Sequence, residues 1–253
     1  MSRRQDSMMC IQRIERVLTK DDFNNYGVVA AKSNERMQPV FVPRQYREPD
    51  RSWMVDVITR YPLALLTVNG TAEQGPLATH LPVIRDPQWT GEWTDGLSGA
   101  LLLGHMNAQN PHWSALQNGD PVLLVFTGPH AYVSPTFYQT TPAAPTWDFT
   151  SVHVHGTIEK IDSPEQTLEV VTHTVQEFEG KFGTDWDMSE SVDYFRKILP
   201  GVGAFRVTVS QAEGMFKLSQ EQRPEIRDRV HESFARSQCS RHRETARLMD
   251  QLP

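Results

Sequence analysis

The chain has 253 residues and a formal net charge of -6, with 22% charged residues. This length can form one sizeable core, and no linker rich in Gly, Ser or Pro divides it, so we expect one domain with a tail. The basic residues are interspersed with acids, which argues against nucleic-acid binding because phosphate neutralisation needs clustered Lys and Arg.

No apolar run approaches the roughly 20 residues that span a bilayer. The first ten residues also lack the apolar segment of a secretory signal. The sequence therefore predicts a cytoplasmic protein with no membrane partner. Cys10 and Cys239 lie near opposite ends, without the spacing of a zinc site, which predicts two unpaired thiols.

Residues 1–40 carry mixed charge and few large apolar side chains. A short helical pattern is confined to Ile11, Ile14, Val17 and Leu18. We expect this segment to be an extension, either a mobile arm or a non-native leader, and the folded domain to cover 41–253.

The first predicted elements are a helix and a strand pair. Asp50 is suited to cap a helix that ends at Tyr61-Pro62. The apolar run 63–68 ends at Asn69-Gly70, a strong turn signal, and 77–84 forms the returning strand. The residues expected on the buried face of the helix are Trp53, Met54, Val57 and Ile58.

Further strands are predicted at 101–103, 122–126 and 151–161, with a short helix at Asn110-Pro111 between the first two. In 151–161, Val152, Val154 and Ile158 alternate with His153, His155 and Thr157, so the two sets occupy opposite faces.

The C-terminal part is predicted to hold helices around one more strand. Helices are indicated at 163–181, at 189–199 and from Pro224 onward. Phe205, Val207 and Val209 alternate with polar residues, as in a half-buried strand. The inward residues predicted for the helices at 163–181 and from Pro224 are Leu168, Val171, Val175 and Phe178, and Ile226, Val230 and Phe234, respectively.

The strands occur in runs and do not alternate with helices. This order disfavours a parallel βαβ sheet and predicts an α+β fold, a small closed or half-closed barrel with helices packed outside.

Candidate ligands follow the ends of these strands, where functional sites collect. His105 follows Gly104 at the end of an apolar strand, so it suits an iron or metal ligand, or a cap towards the helix at Asn110. His80 lies in a strand beside Pro82 and could face the barrel or a partner subunit. His153 and His155 share one strand face, a spacing compatible with a metal site or with a partly exposed surface.

Aromatic and cationic side chains complete the candidate set. Tyr132, Tyr138 and Trp147 could stack on a flat cofactor or pack structurally. Lys217 is flanked by apolar residues, so it either pairs with an anion such as a phosphate or propionate, or extends to water. The chain has no Walker loop, GxGxxG fingerprint, HExxH or GxSxG motif, which excludes nucleotide hydrolysis and serine chemistry of those types.

Seven ordered motifs resemble one family, the PaiB-like proteins described as FMN-binding negative transcriptional regulators. This resemblance implies an FMN-binding split β-barrel that pairs into a homodimer, with a cofactor cleft at the subunit interface. The motifs are Phe41-Val42-Pro43, Thr79-His80-Leu81-Pro82, Gly104-His105-Met106 with Asn110-Pro111, Phe126-Thr127-Gly128-Pro129 with Tyr132-Val133-Ser134-Pro135, Pro145-Thr146-Trp147, Val152-His153 with Gly156, and Lys217-Leu218-Ser219-Gln220.

A narrower resemblance is to the haem-dependent piperazate synthases of this family. It is carried by segments 104–107, 110–113, 149–154 and 193–205. It implies cyclisation of N5-hydroxy-L-ornithine to L-piperazic acid, with formation of an N–N bond and loss of water. Asp148 departs from the pattern, because the family usually has Asn after the Thr-Trp pair.

The resemblance also implies roles for individual residues. His105 is expected to be the axial ligand of haem b. Lys217 is expected to hold a propionate, to be the trans ligand or to assist proton transfer. His80 and Tyr132 are predicted catalytic residues, and Trp147 and Thr79 predicted cofactor contacts; the complete set is His80, Tyr132, Lys217, His105, Trp147 and Thr79.

Two alternatives remain open at this stage. One is a flavin-binding regulator or reductase on the same barrel, in which Lys217 and Thr79 would meet the FMN phosphate. The other is a DNA-binding repressor, for which only 223–247 is basic enough. The positive charge of that segment is reduced by four acidic residues, Glu225, Asp228, Glu232 and Glu244.

Overall fold

The computed structural model describes residues 40–93, 97–184 and 186–253. The predicted extension at 1–40 lies almost wholly outside the described residues. The fold begins with a 3-10 turn at Arg44–Tyr46, followed by helix α1 over Ser52–Arg60. The N-cap of α1 is Arg51, which makes no side-chain cap hydrogen bond, so the predicted cap is displaced by one residue; Asp50, just before it, accepts a hydrogen bond from the Ser52 backbone N–H at 2.8 Å. The buried residues of α1 are those predicted: Trp53, Met54, Val57 and Ile58.

Six antiparallel strands form a closed barrel in the order β1-β2-β3-β6-β5-β4. Closure pairs every strand on both sides, so the backbone donors and acceptors of the sheet have partners. The α+β prediction is confirmed. The strands are β1 Leu63–Asn69, β2 Pro76–Arg85, β3 Leu101–Asn107, β4 Pro121–Val133, β5 Thr146–Ile161 and β6 Val202–Lys217.

Alternating side chains fill the barrel core. Val152, Val154 and Ile158 of β5 are buried, as the two-residue period predicts. The largest fully buried side chains include Phe126, Phe205, Phe216, Leu66, Leu102 and Leu124. The predicted strands are present, but β3, β4 and β5 are longer than their apolar runs, because polar residues extend each ladder past the core.

The remaining helices lie outside the barrel. Helix α4 covers a second, smaller apolar cluster on the outer face, formed by Ile84, Leu103, Ile161, Val170 and Ala204. The helices are α2 Pro111–Ala115, α3 Pro135–Tyr138, α4 Pro164–Phe182, α5 Val192–Ile198, α6 Pro224–Ala235 and α7 Ser240–Met249.

Two helix predictions need correction. In α4 the buried residues are Thr167, Val170, Val171 and Thr174, while the predicted Leu168 and Val175 are only half-buried. The threonines can occupy the buried face because their hydroxyls form hydrogen bonds within the chain. Thr174 Oγ1, for example, donates to the Val170 carbonyl at 2.7 Å.

The second correction concerns the C-terminal segment. The inward face predicted for α6, with Ile226, Val230 and Phe234, is confirmed. A separate helix, α7, follows it and contacts β4. Although the sequence of α7 is mostly charged, the helix has a narrow apolar face on which Ala246 and Met249 are buried. Within the described residues, the structure has no helix long and apolar enough to cross a membrane.

Candidate functional site

Two motifs 71 residues apart join at one end of the barrel. Lys217 ends β6 and pairs in register with Phe149 of β5. Its Nζ donates a hydrogen bond to Thr146 Oγ1. Ser219 donates to Asp148, from its backbone N–H to Oδ1 at 3.1 Å and from Oγ to Oδ2 at 2.7 Å. The Thr146–Asp148 segment therefore holds both sides of the turn that carries Lys217.

The turn after β6 is fixed by its own residues as well. Ser219 has a left-handed backbone with φ of 59°, a conformation that needs local support in a residue other than glycine. Gln220 supplies that support: its Oε1 accepts from the Leu218 N–H and its Nε2 donates to the Phe216 carbonyl, both at 2.5 Å. Leu218 is buried. This geometry explains the Lys-Leu-Ser-Gln pattern as one folded unit.

Charges surround Lys217 at this end of the barrel. The Lys217 Nζ lies 5.7 Å from the ring centroid of Tyr46. Asp148 is completely buried. The pKa of Asp148 is raised to about 7, chiefly by burial and also by nearby Glu221, while the hydrogen bonds from Ser219 and the nearby Lys217 oppose the rise. Burial and then Glu221 raise the pKa of Tyr46 to about 12.

Aromatic rings extend the same site onto the surface. Tyr132 of β4 and Trp147 of β5 are cross-strand partners, and their rings meet edge to face at 5.9 Å. The Trp147 Nε1 donates to His130 Nδ1 at 3.3 Å. Tyr132 and Trp147 remain 46% and 49% exposed, an unusual state for large aromatic side chains and one that leaves area for a partner or ligand. Tyr138, by contrast, is buried and structural.

His105 lies elsewhere, on the outer face of β3. The preceding Gly104 points inward, where a Cβ would come within 2.6 Å of Phe205 Cζ, so the alternation of the strand turns His105 outward. Its ring is half-buried, and its Nδ1 has no hydrogen-bond partner among the described residues. Burial lowers the pKa of His105. At neutral pH it is therefore a neutral imidazole, the form that binds iron.

The alternative capping role of His105 is not observed. The α2 helix is capped by Asn110, whose Oδ1 accepts from the His112 N–H at 3.0 Å. Asn110 also donates through Nδ2 to Thr79 Oγ1 at 3.2 Å, and Thr79 Oγ1 lies 2.9 Å from His112 Nδ1. Thr79 thus belongs to a separate polar cluster with Asn110 and His112. His112 itself is buried, with its Nε2 unpartnered among the described residues.

His80, His153 and His155 are strand residues, of which His153 and His155 are half-buried. His80 is exposed, on the face of β2 opposite Thr79. His153 pairs in register with Val125 on one side and Glu213 on the other. Burial first, and then neighbouring His155, lower the pKa of His153. Across the parts of the chain that the structure describes, no group of three or more His, Cys, Asp or Glu side chains is arranged to hold a metal ion.

The predicted site residues therefore fall into separate places. Tyr132 contacts Trp147, and Lys217 binds Thr146, the residue before Trp147. His105 is near the other end of β6, paired with Ala204. Ala204 precedes Lys217 by thirteen residues, roughly 40 Å of extended strand. Sequence reasoning missed the parts played by Tyr46, Thr146, Asp148, Ser219 and His130. The quoted motifs contained Thr146 and Ser219, but nothing in the sequence indicated that they were joined.

Comparisons with known proteins agree with this architecture. Residues 40–211 match the family described as "Putative FMN-binding domain". An uncharacterized protein of Emericella nidulans is 29% identical over 225 residues, covering 75% of this chain and 88% of the relative. "Protease synthase and sporulation protein PAI 2" of Bacillus subtilis is 28% identical over 186 residues, covering 71% and 83%.

One similar solved structure is that of the FAD and haem binding protein from Mycobacterium smegmatis. Its sequence identity is 16% and its TM-score 0.49, with 68% of this chain and 73% of that chain covered. The family match spans more than half of the sequence. It includes β1 to β5 completely and β6 as far as residue 211. The chain belongs to the PaiB-like FMN-binding domain family, as its motifs predicted.

Proposed function

We propose that this protein is a haem-dependent piperazate synthase, which cyclises N5-hydroxy-L-ornithine to L-piperazic acid. The observation that carries the proposal is the half-buried, neutral imidazole of His105, whose Nδ1 is unpartnered among the described residues. A neutral histidine on a rigid strand is well suited to be an axial haem ligand. The motif resemblance to piperazate synthases, which includes His105, supports the same assignment.

The residues present fit haem b. His105 would supply the axial ligand, and Gly104, packed on Phe205, fixes the strand that carries it. Lys217 offers a cation for a propionate, and the exposed face of Trp147 offers a flat apolar surface. Ferric haem would supply Lewis-acid assistance to departure of the hydroxylamine oxygen, which leaves poorly by itself.

The separation of His105 and Lys217 within one subunit bears on how the site would be assembled. An association of two subunits would let a single cofactor contact both side chains, one from each subunit. We therefore propose a homodimer in which His105 of one subunit and Lys217 of the partner subunit face the same cofactor. The exposed Tyr132 and Trp147 lie beside Lys217 and would be covered by the same association.

The chain's own residues would bind and orient the substrate. The reaction forms one N–N bond, breaks one N–O bond and releases water, so it needs no external oxidant or reductant. The α-ammonium group must first lose a proton, and folding the substrate places its two nitrogens in reach of each other. We assign the ionic and proton-transfer roles to Lys217, Tyr132 and His80, of which His80 is exposed on β2.

The test is a haemin titration of the purified full chain, followed by N5-hydroxy-L-ornithine in the same cuvette. We expect a Soret band that shifts with the substrate, and piperazic acid in the product mixture by mass spectrometry. His105→Ala should lose the Soret band, while the control His80→Ala should retain it. Loss in both variants, or in His80→Ala alone, would overturn the assignment of His105.

An FMN-binding regulator or reductase is the second candidate, and the family match over 40–211 favours it. In that case Lys217 would meet the flavin phosphate, and no axial ligand would be needed. Thr79, the other predicted phosphate contact, would have to exchange its bonds to Asn110 and His112. Flavin absorbance after incubation with FMN, with no Soret band after haemin, would select this candidate.

A further inference from the structure

We propose that Asp148 is a positioning residue that fixes the place of the Lys217 amine. The consequence for the reaction rests on the proposed function, which assigns Lys217 to the cofactor and substrate. The contact itself rests only on the structure.

The first step is the anchoring of the turn. Asp148 is completely buried, and each of its carboxylate oxygens accepts a hydrogen bond from Ser219. Ser219 is two residues after Lys217, and its left-handed backbone leaves the turn little freedom to shift. A buried carboxylate that binds both the N–H and the hydroxyl of one residue fixes that residue more firmly than a single bond does.

The second step is the anchoring of the side chain. Lys217 Nζ donates to Thr146 Oγ1, and Thr146 precedes Asp148 by two residues on β5. One short segment of β5 thus holds the backbone of the turn at Ser219 and the amine of Lys217. Displacing Asp148 would therefore disturb both the contact at Ser219 and the contact between Thr146 and Lys217.

The third step is the choice of the variant that removes the anchor. An asparagine here could keep both contacts, because its carbonyl oxygen would accept from the Ser219 N–H and its amide would donate to Ser219 Oγ, which can accept as well as donate. An alanine has neither group and would leave the Ser219 N–H and hydroxyl without this partner. Asp148→Ala therefore removes the anchor, and Asp148→Asn retains it.

The experiment measures Lys217 directly, without cofactor or substrate. The full chain is treated with acetic anhydride at pH 8, and acetylation of Lys217 is quantified by peptide mass spectrometry. In Asp148→Ala the acetylation of Lys217 should rise about fivefold, because the turn at Ser219 loses both of its bonds and no longer holds the amine against Thr146. Asp148→Asn can keep both bonds and should restore the wild-type level. The control Asp86→Asn removes a buried carboxylate elsewhere and should leave the acetylation of Lys217 unchanged.

Ser219→Ala keeps the backbone bond to Asp148 and removes the bond from Oγ, so it should raise the acetylation of Lys217 by less than Asp148→Ala does. Acetylation in Asp148→Ala equal to that in wild type, or a rise of equal size in Asp86→Asn or Asp148→Asn, would overturn the proposal. If acetylation changes as expected but neither haemin nor N5-hydroxyornithine binds, the positioning role stands and the proposed function fails.

Discussion

Gly104 of β3 lies directly against the ring of Phe205 in β6: a Cβ at this glycine would be 2.6 Å from Phe205 Cζ and 3.3 Å from Leu81 Cδ1. The two residues are in register across the ladder, and Phe205 is completely buried. The ring cannot move aside without displacing the barrel core. This contact fixes the strand that presents His105.

Gly104→Ala should therefore destabilise the protein by about 1–3 kcal/mol, the usual cost of overpacking a core. Urea unfolding followed by fluorescence measures this change. The matched control is Gly180→Ala in α4, where an added Cβ meets nothing within 4 Å. Since alanine is the better helix former, this control should gain up to about 1 kcal/mol. Equal stability of the two variants would contradict the packing argument.

The exposed indole of Trp147 provides a second prediction. Trp147→Ala should weaken cofactor binding about tenfold, because a lost stacking surface is worth on the order of 1 kcal/mol or more. Its stability should change little, since the side chain is half-exposed. Trp186 is similarly exposed, at 47%, and is not among the residues that contact Tyr132, His130 or Lys217.

Titration of haemin, or of FMN, into Trp147→Ala and Trp186→Ala measures this effect. Affinity should fall in the first variant and be retained in the second. A comparable loss in both would mean that general surface hydrophobicity, and not this site, determines binding.

The sequence predicted most of the barrel because its physical signals are local. Alternation in β5 is enough to separate Val152 and Val154 from His153 and His155, and Asn110-Pro111 predicts its helix by cap chemistry alone. The predicted buried face of α4 was only partly right: Val171 is buried as expected, but hydrophobicity alone could not indicate Thr167 and Thr174, whose hydroxyls form hydrogen bonds within the chain.

The sequence indicated individual residues of the candidate site but not their contacts. Lys217, Trp147 and Tyr132 were each predicted separately, and only the fold shows which neighbours they contact. The contacts of Lys217 with Thr146, and of Ser219 with Asp148, depend on the β5–β6 register. That register is set by a ladder of more than ten residue pairs and by an irregularity near His155. No local pattern encodes it, so the role of Asp148 could not be inferred from the sequence.

A buried ion pair outside the site gives a third prediction. Asp86 is 1% exposed, and its Oδ2 accepts from Arg206 Nε at 2.6 Å, while its Oδ1 accepts from the Gln88 N–H at 2.8 Å. Asp86→Ala would leave the Arg206 guanidinium without its carboxylate. We expect a loss of about 2–4 kcal/mol in the free energy of unfolding.

The double variant Asp86→Ala with Arg206→Met should recover part of that loss, because it removes the uncompensated charge along with its partner. Urea unfolding of the two single variants and the double variant forms a complete cycle. Strict additivity of the two single effects would contradict the coupling.

The pH dependence of stability tests the environment of Asp148. Burial raises the pKa of Asp148 in the folded protein to about 7, whereas its ordinary value is 3.8. The folded state therefore holds a proton that the unfolded state has released. The resulting stabilisation is fully present below about pH 4 and is lost as the pH rises through 7.

Asp148→Asn cannot titrate, so its stability should fall less than that of wild type between pH 5 and pH 8. The difference in slope should amount to a few kcal/mol over this window, since each pKa unit corresponds to about 1.4 kcal/mol. Asp148→Asn can keep both contacts with Ser219, because its amide can donate to Ser219 Oγ, so any remaining difference in stability is independent of pH in this range and only offsets the curve. Urea unfolding at pH 5, 6, 7 and 8 measures both quantities. Parallel pH profiles for wild type and Asp148→Asn would show that Asp148 is ionised throughout, and that burial does not hold a proton on it.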